Sequence, residues 1–472
     1  MSMAFAGAYE DEILKAEQAA VNADVGAARD HFLKAKTLDA LAVEAQGGLA
    51  FYSFAAGGRK EDSAKLLDEL VSKNPRSPEA LMYRGMFYSE TGKIDDSLND
   101  LNAALKLKPN LTNALRYRAF VYEKKNQPLH AIDDFSSVLK MSSKTRLENG
   151  MDYFLRGRLF FSLNNIPAAI ADFDAAEKLS VYVPELYKSR GMAKVDVKLY
   201  SEAEADLTKA LEFDKSDVSA LFSRSEALFQ QRKFDKAIED LSVAIKLSPL
   251  SPEIYAKRAH ALRASGKLKE AVSDFEKVIE LRGTASDYTN VGMVYALLGN
   301  NTEAIAAYDK SIAKDPKIAM TYNNRGTSLS ALNQMDRALA DYTRAIELDS
   351  AYSRKKAGGV GSEFAFANRA RLYSRLNRHE EAIADISNVI ACRPVVSDIS
   401  SWFYFRASEY WKKGEPINAF QDFLRAAWLL PKWILVTLIV APVALIAILF
   451  SARKFKRSPP GQQAIEVPVS SS

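Results

Sequence analysis

The chain has 472 residues and a formal net charge of +5, with 64 Lys and Arg against 59 Asp and Glu. Its 48% hydrophobic and 26% charged residues are typical of folded chains and exclude disorder over most of the length. The near balance of charge argues against nucleic acid as a partner, and one cysteine (Cys392) with four widely separated histidines argues against disulfides and metal sites.

The N-terminal residues and the segments that follow them differ in kind. The first nine residues, MSMAFAGAY, have no basic stretch before an apolar one, which predicts no signal or transit peptide.

From residue 9 onward the sequence repeats itself with a period near 34. Ala203 and Ala237 stand 34 residues apart, and Leu207 and Leu241 each follow four residues later. A period of this length predicts a repeat array rather than a single globular core.

Extension of this period predicts about twelve units, and the twentieth place of every unit is Ala or Ser. Each unit has two halves with apolar residues at three- and four-residue steps, which predicts two amphipathic helices. Gly or Asn separates the halves in most units, and Pro often ends the second helix. The predicted organisation is two divergent units at 9–77, eight units at 78–352, a Gly-rich basic insert loop at 353–362, two units at 363–431, a transmembrane helix at 433–452, and a basic and then disordered tail at 453–472.

The repeated places carry a family resemblance. The resemblance rests on a small residue at the eighth place, Ala at the twentieth, an aromatic residue or Leu at the twenty-fourth and Pro at the thirty-second. Over about residues 9–430 the repeat resembles the tetratricopeptide repeat (TPR) family. The resemblance implies an all-α fold: a right-handed superhelical solenoid of about twelve helix-turn-helix units, to which the sequence adds one C-terminal transmembrane helix. The family binds extended peptides along the groove that its first helices line.

Two charged places vary together. The seventh place is Arg and the twenty-third is Asp in the same nine units, while the ninth unit has Val291 and Ala307 instead. Joint loss predicts a contact, so we expect an ion pair between the two helices of a unit. The alternative is a row of arginines that binds an acidic ligand. Representative predicted pairs are Arg84 with Asp100, Arg190 with Asp206, and Arg258 with Asp274.

The fifth, ninth and twelfth places of each unit are predicted to face the groove. The resulting mixture of aromatic and basic side chains favours a peptide with acidic and apolar groups. The alternative is that the aromatic residues pack between neighbouring units. One subclass of the family binds chaperones through a Lys/Asn clamp. Its positions correspond most nearly to Lys188, Ser223 and Lys257 here, but the asparagines are missing. The predicted partner-binding residues are Arg116, Phe120, Phe154, Arg158, Phe161, Lys188, Phe222, Phe229, His260 and Arg263.

The segment 433–450 has eighteen uncharged residues, and Ser451 and Ala452 extend it to a length that crosses a bilayer. Trp433 lies at one end and the basic residues 453–457 at the other. The positive-inside rule puts the basic end in the cytoplasm, whereas the lack of an export signal keeps the repeats there. We expect the second arrangement, N-in and C-out, in the mitochondrial outer membrane or a bacterial inner membrane.

No constellation of nucleophile, base, metal ligand or cofactor loop accompanies the repeats, so we expect no enzyme, no cofactor and no metal. The sequence predicts a membrane-anchored TPR scaffold that binds proteins or peptide segments through its groove. One alternative is a tail-anchored receptor for precursor proteins or chaperones. The other is a regulatory organiser that self-associates into a homo-oligomer at a membrane.

Overall fold

The structure is a computed structural model that describes residues 3–21, 24–141, 146–353, 362–391 and 396–429. These residues form 24 α-helices and no strand, which confirms the all-α class for the described part of the chain. The chain divides into two compact units, Met1–Ala261 and Leu262–Ser472, called here the first and second units.

The first unit contains fourteen complete helices and most of a fifteenth, α15, which crosses into the second unit. Their bounds are α1 Met3–Val21, α2 Val25–Leu38, α3 Val43–Ala55, α4 Lys60–Lys73, α5 Pro78–Glu90, α6 Ile94–Leu107, α7 Thr112–Lys124, α8 Pro128–Lys140, α9 Arg146–Ser162, α10 Ile166–Lys178, α11 Pro184–Asp196, α12 Tyr200–Phe213, α13 Val218–Gln230, α14 Phe234–Leu247 and α15 Pro252–Ala264.

The second unit contains the remaining nine helices of the described residues. Their bounds are α16 Leu268–Leu281, α17 Ala285–Leu297, α18 Asn301–Lys314, α19 Ala319–Ala331, α20 Met335–Ser353, α21 Ser362–Arg375, α22 His379–Ala391, α23 Val396–Lys413 and α24 Pro416–Trp428.

Successive helices pair into hairpins through tight turns. Asn126 between α7 and α8 has a φ of 57°, and Gly299 between α17 and α18 has a φ of 81°. Asn and Gly tolerate this left-handed backbone better than other residues, which explains their recurrence between the halves of the sequence repeat. The hairpin is therefore encoded locally.

The eighth and twenty-fourth places of a repeat control how closely the two helices approach. A Cβ atom added to Gly191 in α11 would lie 2.7 Å from Cγ of Leu207 in α12. Leu207 is fully buried, so it has no room to move away. A larger residue at 191 would therefore push the helices apart.

Hairpins stack on one another within each unit. Several first helices also pack against the next first helix, namely in α3–α5, α5–α7, α9–α11 and α11–α13 of the first unit. In the second unit the same contact joins α17–α19 and α19–α21. First helices therefore lie side by side, which is the arrangement that a groove requires.

Four helices are longer than the thirteen or fourteen residues of the others. The second helix α20 continues to Ser353 because Ser350 replaces the terminating Pro. Helices α1, α9 and α23 begin before the predicted start of their repeats. Most of the predicted insert loop, 354–361, lies outside the described residues.

The C-terminal predictions also fall beyond what the structure describes. Both the transmembrane helix at 433–452 and the tail at 453–472 lie outside the described residues, as does Cys392. Among the helices described up to residue 429, none combines the length and the apolar character needed to cross a bilayer.

Candidate functional site

A cavity of about 220 Å³ lies in the first unit, among the first helices α1, α3, α5, α7 and α9. We call it the N-terminal cavity. It is bordered by Glu17, Ala20, Phe32, Tyr52, Tyr83, Met86, Asn113, Arg116, Tyr117, Phe120, Met151, Asp152 and Leu155.

An ionic chain runs along one side of the N-terminal cavity. The Nε and Nη2 atoms of Arg116 donate to the two carboxylate oxygens of Asp152, at 2.8 and 2.7 Å. Arg116 also donates to Asn113 at 3.2 Å, and Asn113 donates to Glu17 at 3.3 Å. Asp152 is 1% exposed. Because Asp152 neutralises Arg116, Glu17 leaves the lining with one negative charge.

Aromatic rings also line the N-terminal cavity. Phe32 stacks on Tyr52 with ring centroids 5.4 Å apart, and Tyr83 meets Phe32 edge-on at 6.0 Å. Burial, with a smaller effect of Glu17, raises the pKa of Tyr52 to about 12. Burial raises the pKa of Tyr117 as well. These phenols stay neutral near pH 7 and keep their hydroxyl protons.

Arg116 and Phe120 are the two predicted groove residues that the cavity brings together. Phe120 packs edge-on against Tyr117 at 6.0 Å and against Phe135 at 5.9 Å. Sequence reasoning missed Asp152, their most buried polar neighbour. Its signal was a carboxylate at the third place of a repeat, where the preceding repeat has Ala114 and the following repeat has Leu186.

The other predicted basic groove residues of the first unit have carboxylate partners. Arg158 meets Glu123 at 3.3 Å, and Lys188 meets Asp217 at 3.0 Å. These contacts neutralise two of the cations on which the expectation of an acidic peptide rested.

Lys257, part of the trace of a chaperone clamp, contacts Glu226 and lies 4.3 Å above the Phe222 ring. Its ammonium therefore already has an anionic and an aromatic partner within the first unit. This arrangement does not favour capture of a C-terminal carboxylate by Lys257.

The remaining predicted groove residues differ in exposure. Phe154 is 6% exposed and packs against Phe173 in the core, so it is not available to a ligand. Phe161 and Phe229 are half-buried, and the ring of Phe229 contacts Phe234 at 5.4 Å. His260 is half-buried in the first unit, whereas the half-buried Arg263 belongs to the second.

Eight of the nine Arg–Asp pairs expected from the sequence lie within one of the two units, and each of these eight forms an ion pair. In each, Arg Nε and Nη2 donate to both oxygens of the Asp, and the Arg190–Asp206 distances are 2.8 and 2.7 Å. Arg258 and Asp274 fall on opposite sides of the boundary between units. The eight pairs are 84–100, 118–134, 156–172, 190–206, 224–240, 325–341, 369–385 and 406–422.

The third nitrogen of each arginine makes a contact that the sequence analysis missed. Nη1 donates to the residue at the twenty-fifth place of the preceding repeat, as from Arg118 to Asn102 at 2.9 Å. One side chain therefore ties three helices and couples neighbouring hairpins. All nine arginines do this, with the acceptors Asp68, Asn102, Ser136, Asp174, Thr208, Ser242, Asp309, Thr343 and Ser387.

Among the described residues, no group of three or more His, Cys, Asp or Glu side chains could hold a metal ion. The arginine network is structural in its geometry because its donors are all directed at neighbouring helices. The N-terminal cavity offers polar and aromatic groups around one space.

Comparison with known proteins identifies the repeats. One tetratricopeptide repeat model matches residues 49–112, 189–252 and 256–319, and another matches 319–352. These segments are therefore tetratricopeptide repeats. They include hairpins from both the first and the second unit.

Similarity to curated proteins is partial. DnaJ homolog subfamily C member 7 of Homo sapiens is 27% identical over 190 residues, which cover 40% of this chain and 33% of that protein. Protein unc-45 homolog B of Xenopus laevis is 33% identical over 96 residues, which cover 20% of this chain and 10% of that protein. The chain thus spans about a third or less of the length of these relatives.

Similar solved structures include the APC/C hetero-tetramer Cut9-Hcn1, at 14% identity and a TM-score of 0.41, covering 91% of this chain and 95% of that one. YrrB, described as a TPR protein with an unusual peptide-binding site, shows 25% identity and a TM-score of 0.36. It covers 40% of this chain and 95% of its own.

Proposed function

We propose that this tetratricopeptide-repeat chain is a non-enzymatic scaffold that binds protein partners through its first helices and is attached to a membrane. The observation that carries the proposal is the N-terminal cavity, where a carboxylate and several tyrosines border one space among five hairpins. Its ligand is a peptide segment of a partner protein. We further propose that a Lys or Arg side chain of that peptide enters the cavity.

Charge supports a cationic ligand group. Arg116 is neutralised by Asp152, while Glu17 is contacted by the uncharged amide of Asn113. Tyrosine rings attract cations through their faces, and a carboxylate beside them adds a direct electrostatic attraction. An acidic side chain in the same space would face repulsion from Glu17.

Size supports a single side chain rather than a small molecule. Pockets for small molecules usually measure about 300–1,000 Å³. The N-terminal cavity, at about 220 Å³, is smaller. The rest of a peptide would then lie along the first helices outside the cavity.

Membrane attachment is proposed from the apolar segment 433–450 and the basic residues that follow it. We propose that the repeats face the cytosol and the tail emerges on the opposite side, in the mitochondrial outer membrane or a bacterial inner membrane. Carbonate extraction tests the attachment, because a spanning chain stays with the lipid. Protease protection of an N-terminal tag tests the orientation, and a protected tag would reverse it.

Peptide binding tests the cavity on the full chain in lipid nanodiscs. The probes are fluorescein-labelled Lys–Ala peptides and matching peptides in which every Lys is norleucine or Glu. We expect Glu17→Gln to weaken the Lys peptide about tenfold, or about 1.4 kcal/mol. The matched control is Glu10→Gln, exposed on the same helix. Equal binding of the three peptides, or no effect of Glu17→Gln, would contradict a cationic ligand.

Two alternative functions, a receptor and an organiser, can be separated by experiment. A receptor for precursor proteins or chaperones would enrich them when the full chain is captured from solubilised membranes, and the capture would depend on Glu17. An organiser would instead sediment as a homo-oligomer whose mass does not change in Glu17→Gln. The structure favours neither, so the scaffold is the function proposed.

A further inference from the structure

The last described helix, α24, presents apolar residues at the eighteenth, twenty-fifth and twenty-ninth places, which are polar in most other second helices, and at the twenty-first place, which is apolar in most of them. Leu424 occupies its twenty-fifth place, which in the preceding hairpin is Ser387, the acceptor for Arg406 at 2.8 Å. Leu424 is 45% exposed. A leucine accepts no hydrogen bond, so this face is not adapted to another tetratricopeptide hairpin of the same kind.

Further exposed apolar residues continue this face. Ile417, Phe420 and Trp428 are 73%, 62% and 82% exposed. With Leu424 they are spaced by three, four and four residues, which puts them on one side of the helix. We call these four residues the outer face of α24. The corresponding residue to Ile417 in α22 is Glu380, a charge.

Water is a poor environment for such a surface. Terminal helices of repeat arrays usually carry a polar outer face because no neighbour covers them. Phe403 of α23 adds to the exposed area, since it lines an open hollow with Leu424 and Trp428. Contact of the outer face with an apolar surface would therefore be more favourable than its exposure to water.

The sequence after α24 identifies what lies beside it. The helix ends at Trp428, and the uncharged segment begins at Trp433. Five residues span at most about 18 Å, so a membrane-spanning segment would hold α24 within that distance of the bilayer. Trp428 and the partly exposed Arg425 are residue types enriched at membrane interfaces.

Folding of 433–450 back onto α24 explains the sequence less well. That segment is apolar on all sides, so as a covering helix it would turn a second apolar face to water. We propose that the outer face of α24 lies in the headgroup region of the bilayer. This inference rests on the proposed membrane attachment and adds a second lipid contact, parallel to the surface, beside the spanning segment.

The test places an environment-sensitive NBD label on single cysteines in the full chain, with Cys392→Ser to remove the native thiol. Ile417→Cys reports on the outer face, Val440→Cys on the apolar segment, and Glu380→Cys is the matched control on α22, where that side chain is 80% exposed. Each labelled chain is reconstituted in phosphatidylcholine–phosphatidylglycerol nanodiscs with nitroxide-labelled lipids, and far-UV circular dichroism checks its folding.

We expect the label at 417 to be blue-shifted and quenched about threefold or more relative to the label at 380. Quenching at 440 without quenching at 417 would overturn the inference and leave membrane attachment intact. A blue-shifted but unquenched label at 417 would mean that protein covers the face, and this also overturns it. Quenching at neither 417 nor 440 would reject the attachment itself.

Discussion

Two hairpins of the same architecture are fastened by different chemistry. In α11–α12, Arg190 and Asp206 form a bidentate ion pair, and Nη1 of Arg190 continues to Asp174 at 2.8 Å and Glu177 at 2.6 Å in α10. The side chains of Arg190 and Asp206 are each 5% exposed. This hairpin is tied by charge, and its additional contacts point to the preceding hairpin.

In α17–α18 the same two places are Val291 and Ala307, both buried. A cluster of buried hydroxyl groups lies in this hairpin instead. Thr289 contacts Ser311 of α18 at 2.8 Å and Thr321 of α19 at 2.7 Å. The comparison shows that a polar link among three helices recurs although its chemistry changes. In this hairpin the link points to the following repeat.

Loss of a charge partner in α11–α12 has the largest expected effect. Asp206→Leu leaves the buried Arg190 and Lys194 without their shared carboxylate. We expect a loss of about 3 kcal/mol, because Nε and Nη2 of the buried Arg190 lose their acceptors and only Nη1 keeps its contacts with Asp174 and Glu177. Hydrogen exchange of α11 and α12 under increasing urea measures it, because repeat arrays unfold by region.

An exposed ion pair supplies the control for that experiment. Arg158 and Glu123 have 42% and 38% exposed side chains, so we expect Arg158→Met to cost about 0.5 kcal/mol. The double change Arg190→Met with Asp206→Leu should cost less than Asp206→Leu alone. Equal losses for Asp206→Leu and Arg158→Met would show that burial does not decide the strength of these pairs.

Loss of one hydroxyl in α17–α18 has a smaller expected effect. Thr289→Val keeps the shape but leaves Ser311 and Thr321 only a weak mutual contact at 3.4 Å. We expect a cost of about 1–2 kcal/mol, seen as faster exchange in α17, α18 and α19. Thr327→Val, at an exposed threonine of α19, is the matched control.

A combined variant sharpens the interpretation of the hydroxyl cluster. Thr289→Val with Ser311→Ala and Thr321→Val removes all three hydroxyls, so no buried hydroxyl of the cluster is left unsatisfied. We expect it to be nearly as stable as the unmodified chain. If the combined variant is instead the least stable, the hydroxyls contribute directly and not only by mutual satisfaction.

Much of this architecture could be predicted from the sequence because the residues at the same place of successive repeats can be compared with one another. The pairing of Arg190 with Asp206 follows from joint occurrence at two places, and the hairpins follow from apolar spacing. The third arginine contact was also readable, since the twenty-fifth place holds polar residues such as Asp174 and Asn102. The contact was missed because the joint occurrence of residue types was compared only within one repeat and not between neighbouring repeats.

The N-terminal cavity could not be predicted in the same way. It depends on the approach of α1 to α7, where Glu17 and Asn113 lie 96 residues apart in sequence. Comparison of equivalent places in the repeats does not reveal such a contact, because the contact depends on the rotation between successive hairpins and not on the sequence of any one hairpin. Hence Arg116 was assigned to a groove, while its partner Asp152 was overlooked.

The smallest expected effect is the pH dependence of stability, and it distinguishes a charged contact in α17–α18 from the neutral hydroxyl cluster of the same hairpin. Asp287 lies in the first turn of α17, and its bonds to Arg282 and Thr284 outweigh burial and hold its pKa below the ordinary value. A carboxylate with a lowered folded-state pKa stabilises the protein above its unfolded pKa of about 3.9, and this contribution is lost as pH falls through the folded-state value. The hydroxyl cluster of the same hairpin has no titrating group in this range.

We therefore expect the urea midpoints of the unmodified chain and Asp287→Asn to converge as pH falls from about 7 to about 3. The deficit of Thr289→Val should stay constant over the same range, because it comes from a neutral hydrogen bond. A Thr289→Val deficit that changes with pH in parallel with Asp287→Asn would show that the hydroxyl cluster and the Asp287 contacts act as one network. The link in α17–α18 would then depend on charge, as the link in α11–α12 does.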